Sequence, residues 1–157
     1  MKKETGKLPA ETNNKLSSAD LIGDIRRLIE TARHNVAVTV NAGLTLLYWQ
    51  IGNRIRQDIL KEKRAEYGEE IISTLSIQLV KEFGNGFSRP NLFRMVRFAE
   101  VFPEGKIVST LSRQLSWSHF VEIIPLKGDI QRDFYAEMGR IERWSVRTLR
   151  KKMMECL

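Results

Sequence analysis

Apolar residues recur every three or four positions along most of the chain, and no segment alternates with period two for long enough to demand a strand. The pattern therefore predicts an all-α fold. The longest stripe runs through Leu21, Ile25, Leu28, Ala32, Val36, Val40, Leu44, Leu47, Ile51, Ile55 and Ile59, uninterrupted by proline. As one helix it would be about 60 Å long at 1.5 Å per residue, whereas a compact domain of this size has a radius of gyration near ~15 Å. Either the helix breaks, for which the β-branched run Val36 to Val40 and Gly43 offer a place, or it projects to meet a partner. Order is expected from Ser17 or Ser18, each a natural N-cap, with residues 1–17 read as a tail.

A charged joint at residues 61–66 leads to a second helix over 69–83, closed by Gly84 in the C′ role. Ser88 is placed to cap a third helix over 89–102, and Pro90 in its first turn costs little because those N–H groups have no intrahelical partner. Phe87 and Leu92 stand at the spacing of a hydrophobic staple. Further helices are predicted over 106–115, 117–124 and 129–143, and a last one is capped by Ser145. That last helix meets no glycine or proline before Leu157, as expected for the front part of a longer protein.

Residues 71–79, IISTLSIQL, return 36 positions later as IVSTLSRQL, with seven of nine residues identical. After the first copy come a glycine-containing turn, a serine and the basic amphipathic run Arg89 to Arg97. Helix, turn and a helix with outward arginines is the layout of a helix-turn-helix reader of nucleic acid. After the second copy the turn is shorter and the next helix, Trp117 to Ile124, is apolar. The fold class expected is a helical bundle with helix-turn-helix-like pairs and a long N-terminal helix or helix pair.

Composition narrows the function. The 157 residues suffice for one domain, and 42% hydrophobic with 29% charged residues fits neither a disordered nor a membrane protein. No apolar run reaches the roughly 18 residues of a membrane span, and no signal segment opens the chain, so a cytoplasmic protein is expected. Twenty-six Lys and Arg against 19 Asp and Glu give a net charge of +7, which attracts phosphate backbones. Catalytic constellations are missing. His34, His119 and the single Cys156 lack metal-ligand spacing, and no phosphate loop or nucleophile elbow occurs. Glu104-Gly105-Lys106 has the acid-x-lysine form of metal-dependent nucleases, but it follows Pro103 in a loop and no Asp lies between Asp58 and Asp129 to supply a second metal ligand. No catalytic residue, metal or cofactor is assigned.

On a helical wheel Leu92, Met95, Val96, Ala99 and Phe102 share one face, Arg94, Arg97 and Val101 point the other way, and Arg89 and Asn91 lie at the first turn. Arginine pairs bidentately with guanine and asparagine with adenine, while flanking cations grip phosphates. Arg89, Asn91, Arg94 and Arg97 are therefore the candidate nucleic-acid contacts. The clusters Lys61, Lys63, Arg64 and Arg143, Arg147, Arg150, Lys151, Lys152 read as solvated surface. The alternative is a protein-interaction module, in which residues 20–60 form a homodimer or dock a partner and the basic charge is incidental.

The residues also carry a family resemblance. Leu46 to Gly52 (LLYWQIG), Tyr67-Gly68, Leu75-Ser76, Glu82 to Ser88 (EFGNGFS), Asn91-Leu92 with Met95 and Phe98, Leu115 to His119 (LSWSH), Phe134-Tyr135 and Trp144-Ser145 together resemble the N-terminal domain of the YhcG family of bacterial proteins. The match covers about residues 24–155. The resemblance implies a helical DNA-binding or partner-binding module, which in relatives precedes a C-terminal nuclease domain of the PD-(D/E)xK type. That nuclease domain has no matching positions here, so none of its residues is carried over. This chain departs from the expected pattern at Pro90, where another basic residue is anticipated.

Overall fold

The computed structural model describes the backbone of residues 8–155 and the side chains of residues 21–155, in both cases without 63 and 65. The described residues form seven α-helices, with no strand among them: α1 (Leu8–Lys61), α2 (Tyr67–Phe83), α3 (Arg89–Val101), α4 (Gly105–Leu111), α5 (Trp117–Ile123), α6 (Asp129–Ile141) and α7 (Val146–Glu155). A single 3₁₀ turn, Asn85–Phe87, joins α2 to α3. The chain divides into two compact units, residues 1–37 and residues 38–157.

In the first unit the described residues belong to α1 alone, and α1 begins at Leu8 instead of at Ser17 or Ser18. Pro9, in the first turn, is compatible with this start because the N–H it lacks would have no helical acceptor. Residues 1–7 of the expected tail, Lys63 of the basic cluster, and Cys156 and Leu157 lie outside the described residues.

Of the two alternatives, a break between Val36 and Gly43 does not occur, and α1 is helical throughout. Weak helix formers cost only about 0.5–1 kcal/mol each. Within the second unit, tertiary bonds hold this stretch of α1. The Asn41 amide donates to the carbonyls of Ser112 and Leu115 at 3.4 and 3.3 Å. One turn on, the fully buried Thr45 hydroxyl donates to the Asn41 carbonyl.

The second unit has two apolar clusters, and α3 feeds both. Leu92 and Met95 join Ile55 and Ile72 in one, while Phe98 joins Phe102, Val108, Leu111, Leu115, Phe120 and Ile123 in the other. The Phe98 and Phe120 rings pack at a tilt of 37° with centroids 4.6 Å apart. Burying each of these side chains is worth roughly 1.5–3 kcal/mol, so the inward face of α3 is fixed by its two ends at once. Val101, expected on the outer face, instead packs half-buried against the second cluster. The Trp49 indole N–H donates to the Phe102 carbonyl at 2.7 Å, tying α1 to the C-terminal end of α3.

The two repeat copies keep equivalent roles within helices of different length. Ile72 and Val108 are both buried, as are Ser76 and Ser112, and Thr74 and Thr110 each donate back to the carbonyl four residues earlier. Helix α2 runs on to Phe83, whereas α4 stops at Leu111. The chain must turn there for Ser116 to cap α5, where the Ser116 hydroxyl and the His119 ring bond reciprocally to backbone N–H groups. With Nδ1 accepting from the Ser116 N–H, the His119 proton sits on Nε2 and is donated to the Trp144 carbonyl at 2.7 Å. This histidine is a structural cap beneath the core.

Candidate nucleic-acid interface

Helix α2, the 3₁₀ turn and α3 occupy the segments for which a helix-turn-helix layout is expected, and sequence dictates the turn locally. Gly84 adopts φ 96°, a left-handed conformation that L side chains resist, and its N–H closes on the Val80 carbonyl. The buried Ser76 hydroxyl, on α2, donates to the Phe87 carbonyl at 3.1 Å and pins the turn to the helix. Phe87 and Leu92 belong to one apolar cluster, as the staple spacing requires. Ser88 occupies the N-cap position with extended backbone, but its hydroxyl makes no capping bond, contrary to the role expected for it. Pro90 removes one N–H from the first turn, and its fixed φ supports the helix start.

The structure draws two of the four candidate residues into one arrangement. The Asn91 amide donates to the Gly86 carbonyl at 3.2 Å, and its oxygen accepts from Arg94 Nη1 at 2.8 Å. Asn91 is thus half-buried and committed locally, so reading adenine with that amide would require breaking both bonds. Its geometry makes it the support that aims Arg94. Arg94 is exposed and meets no carboxylate among the described residues, which leaves most of its donor fork for an incoming group.

The other two candidates are placed differently. Arg89 turns toward α2: its Nε donates to the Ser73 hydroxyl at 3.0 Å while its guanidinium lies 4.9 Å from the Phe93 ring centroid. Arg97 sits one turn beyond Arg94 and pairs with Glu100 at 2.9 Å, with both side chains about half exposed at 45% and 49%. Asn91, Arg94 and Arg97 follow at intervals of three and share one side of α3. Sequence reasoning missed Ser73 and Glu100. Glu100 carries a legible signal, an acid at i+3 from an arginine. Ser73 carries none, since its proximity depends on how α2 folds back.

The remaining features belong to the framework. In the second copy the helix corresponding to α3 is α5, whose Phe120 and Ile123 are fully buried. Arg150 pairs with Glu122 at 2.7 Å, and Arg64 lies 3.5 Å from Glu62. Arg132 is buried and bonds Asp129 and the Leu126 carbonyl, bracing the turn before α6. Glu104 is the residue before α4, and Lys106 lies within that helix and not on a strand. Among the described residues no three His, Cys, Asp or Glu side chains converge as a metal site. No described helix is long and apolar enough to cross a membrane.

The model of the DUF1016 N-terminal domain family matches residues 24–157. The Escherichia coli (strain K12) protein named "Putative nuclease YhcG" is 30% identical over 159 residues, an alignment covering 82% of this chain and 42% of that protein. The chain therefore spans less than half the length of this relative. The resemblance drawn from LLYWQIG, EFGNGFS and LSWSH is borne out by both matches. No solved structure matches the chain.

Proposed function

Since the chain belongs to the DUF1016 N-terminal domain family, we propose that it is a DNA-binding accessory module of a YhcG-like nuclease, working in the cytoplasm and non-catalytic by itself. Helix α3 is the contact element. The observation that carries this reading is Arg94: exposed, without an acid partner among the described residues, and oriented by Asn91 from a turn shaped by Gly84 and Ser76. A net charge of +7 and a relative named as a nuclease support the same reading.

In this arrangement Arg94 meets base edges or phosphate, Arg97 exchanges Glu100 for a phosphate oxygen, and Arg89 flanks them. Asn91 positions its neighbour and does not read a base. The test is the salt dependence of binding to duplex DNA. Replacing Arg94 and Arg97 with alanine should weaken binding and reduce the magnitude of the log–log salt slope by about 1 to 2, one for each phosphate no longer neutralised. A double variant that binds as tightly as the parent, with the same slope, overturns the reading.

A further inference from the structure

We propose that the N-terminal unit of α1 is a self-association helix whose apolar face is covered by a second copy of this chain. The face is made of Leu21, Ile22, Ile25, Leu28, Ile29 and Val36, with Leu28 70% and Val36 63% exposed. At 100° per residue the six fall within about 120° of the helix circumference, a stripe as wide as a core-facing helix carries. Within this unit the described residues are α1 alone, so no other described element of the unit covers the stripe.

Area, shape and charge converge on a second helix of the same kind. The stripe exposes on the order of 600 Å² of apolar surface, the upper end of what a monomer leaves open. Paired with a copy it would bury on the order of 1,200 Å², the lower end of a stable interface. Beside it lies an open patch of the helix surface formed by Asp24, Arg27, Leu28, Thr31, Ala32 and Asn35. These positions are two overlapping i, i+3, i+4, i+7 diamonds, the four-residue hole that receives a side chain from a facing helix. Small Ala32 opens the hole, and the Leu28 and Ile29 of a partner copy are the right kind of side chain to fill it.

The charge around the stripe decides between a copy and a charged partner. Residues 21–37 hold three arginines against Asp24 and Glu30, only +1 of the chain's +7. Asp24 and Arg27 pair with each other. Two copies can therefore meet here without the repulsion their total charge would impose, and a strongly acidic or basic partner finds little to attract it.

Sedimentation velocity without DNA tests this independently of the DNA reading. Over about 1–100 μM, the range in which a modest interface is populated, the protein should pass from its 18.2 kDa monomer mass to twice that value. Leu28→Glu should keep it monomeric across that range, and His34→Glu, on the opposite side of the helix, should dimerise like the parent. Because Leu28 is 70% exposed, the substitution leaves the described packing intact, and matching thermal midpoints of the two variants check this. A parent that stays monomeric throughout, a Leu28→Glu protein that still dimerises, or equal loss in both variants overturns the proposal.

Discussion

Gly52 lies directly against the backbone of Met95. A Cβ at Gly52 would sit 1.8 Å from the Met95 carbonyl oxygen and 2.9 Å from the Val96 nitrogen, so within the second unit α1 and α3 cross at a point where only glycine fits. The crossing turns Leu92, Met95 and Phe98 inward and leaves Arg94 and Arg97 outside. Gly52→Ala should destabilise the protein by about 3 kcal/mol or more, since a backbone and not a side chain must move. Urea denaturation checks this, and a midpoint equal to the parent's would mean that α3 is not seated on α1 as described.

The bond between Asn91 and Arg94 predicts that these residues act as a unit. Asn91→Ala should weaken DNA binding roughly 3- to 10-fold by releasing Arg94, at a stability cost of only about 1 kcal/mol. Added to Arg94→Ala, the same change should cost almost nothing more. Fluorescence anisotropy with the four proteins of this cycle measures the coupling. Strictly additive losses would show that Asn91 contacts DNA itself.

Glu100 opposes the proposed function by holding Arg97 and adding negative charge to the α3 surface. Glu100→Gln should therefore tighten DNA binding by roughly 2- to 10-fold at low salt, with the gain fading as salt rises. An unchanged or weaker affinity at low salt would place the DNA away from Arg97.

Asp58 and Tyr67 join the end of α1 to the start of α2, with the phenol donating to the carboxylate at 2.8 Å. That bond, followed by the one from Arg54, holds the Asp58 carboxyl below its ordinary value of 3.8, and the bond to Asp58 pushes the Tyr67 phenol above 10.0. A carboxyl lowered on folding adds stability above its unfolded value, and this is lost as pH falls through the folded one. A phenol raised on folding adds stability below about pH 10, lost as pH rises further. In an NMR titration the Asp58 midpoint should lie below 3.8 and move part of the way up in Tyr67→Phe, since Arg54 remains. No movement would mean that Tyr67 does not make this bond in solution.

Much of the fold was legible because it rests on local rules. Gly84 ends α2 with the positive φ its position implied, the Ser145 hydroxyl accepts from the Thr148 N–H to cap α7, and the period of 3.6 marked α2 to α7 to within a few residues. What was hidden depends on neighbours distant in sequence. Within the second unit α1 is held at Asn41 by the Ser112 and Leu115 carbonyls, a contact that no helical propensity encodes. Gly52 reads as a flaw in a helix until α3 is laid across it. On α3 the residue types and their side of the helix were readable, but the division of labour was not. Asn91 as support, Arg89 bonded to Ser73 and Arg97 held by Glu100 all require the folded pairings.

The sharpest test of α3 as the DNA-contacting element is an NMR titration of the protein with a short duplex, following backbone amides and arginine Nε–H signals. If α3 meets the duplex, the largest shifts cluster in the 3₁₀ turn and along α3, with the Arg94 and Arg97 side chains foremost and the buried face of α5 silent. Shifts concentrated instead on Arg143, Arg147 and Lys151 around α7, with α3 unperturbed, would refute that assignment.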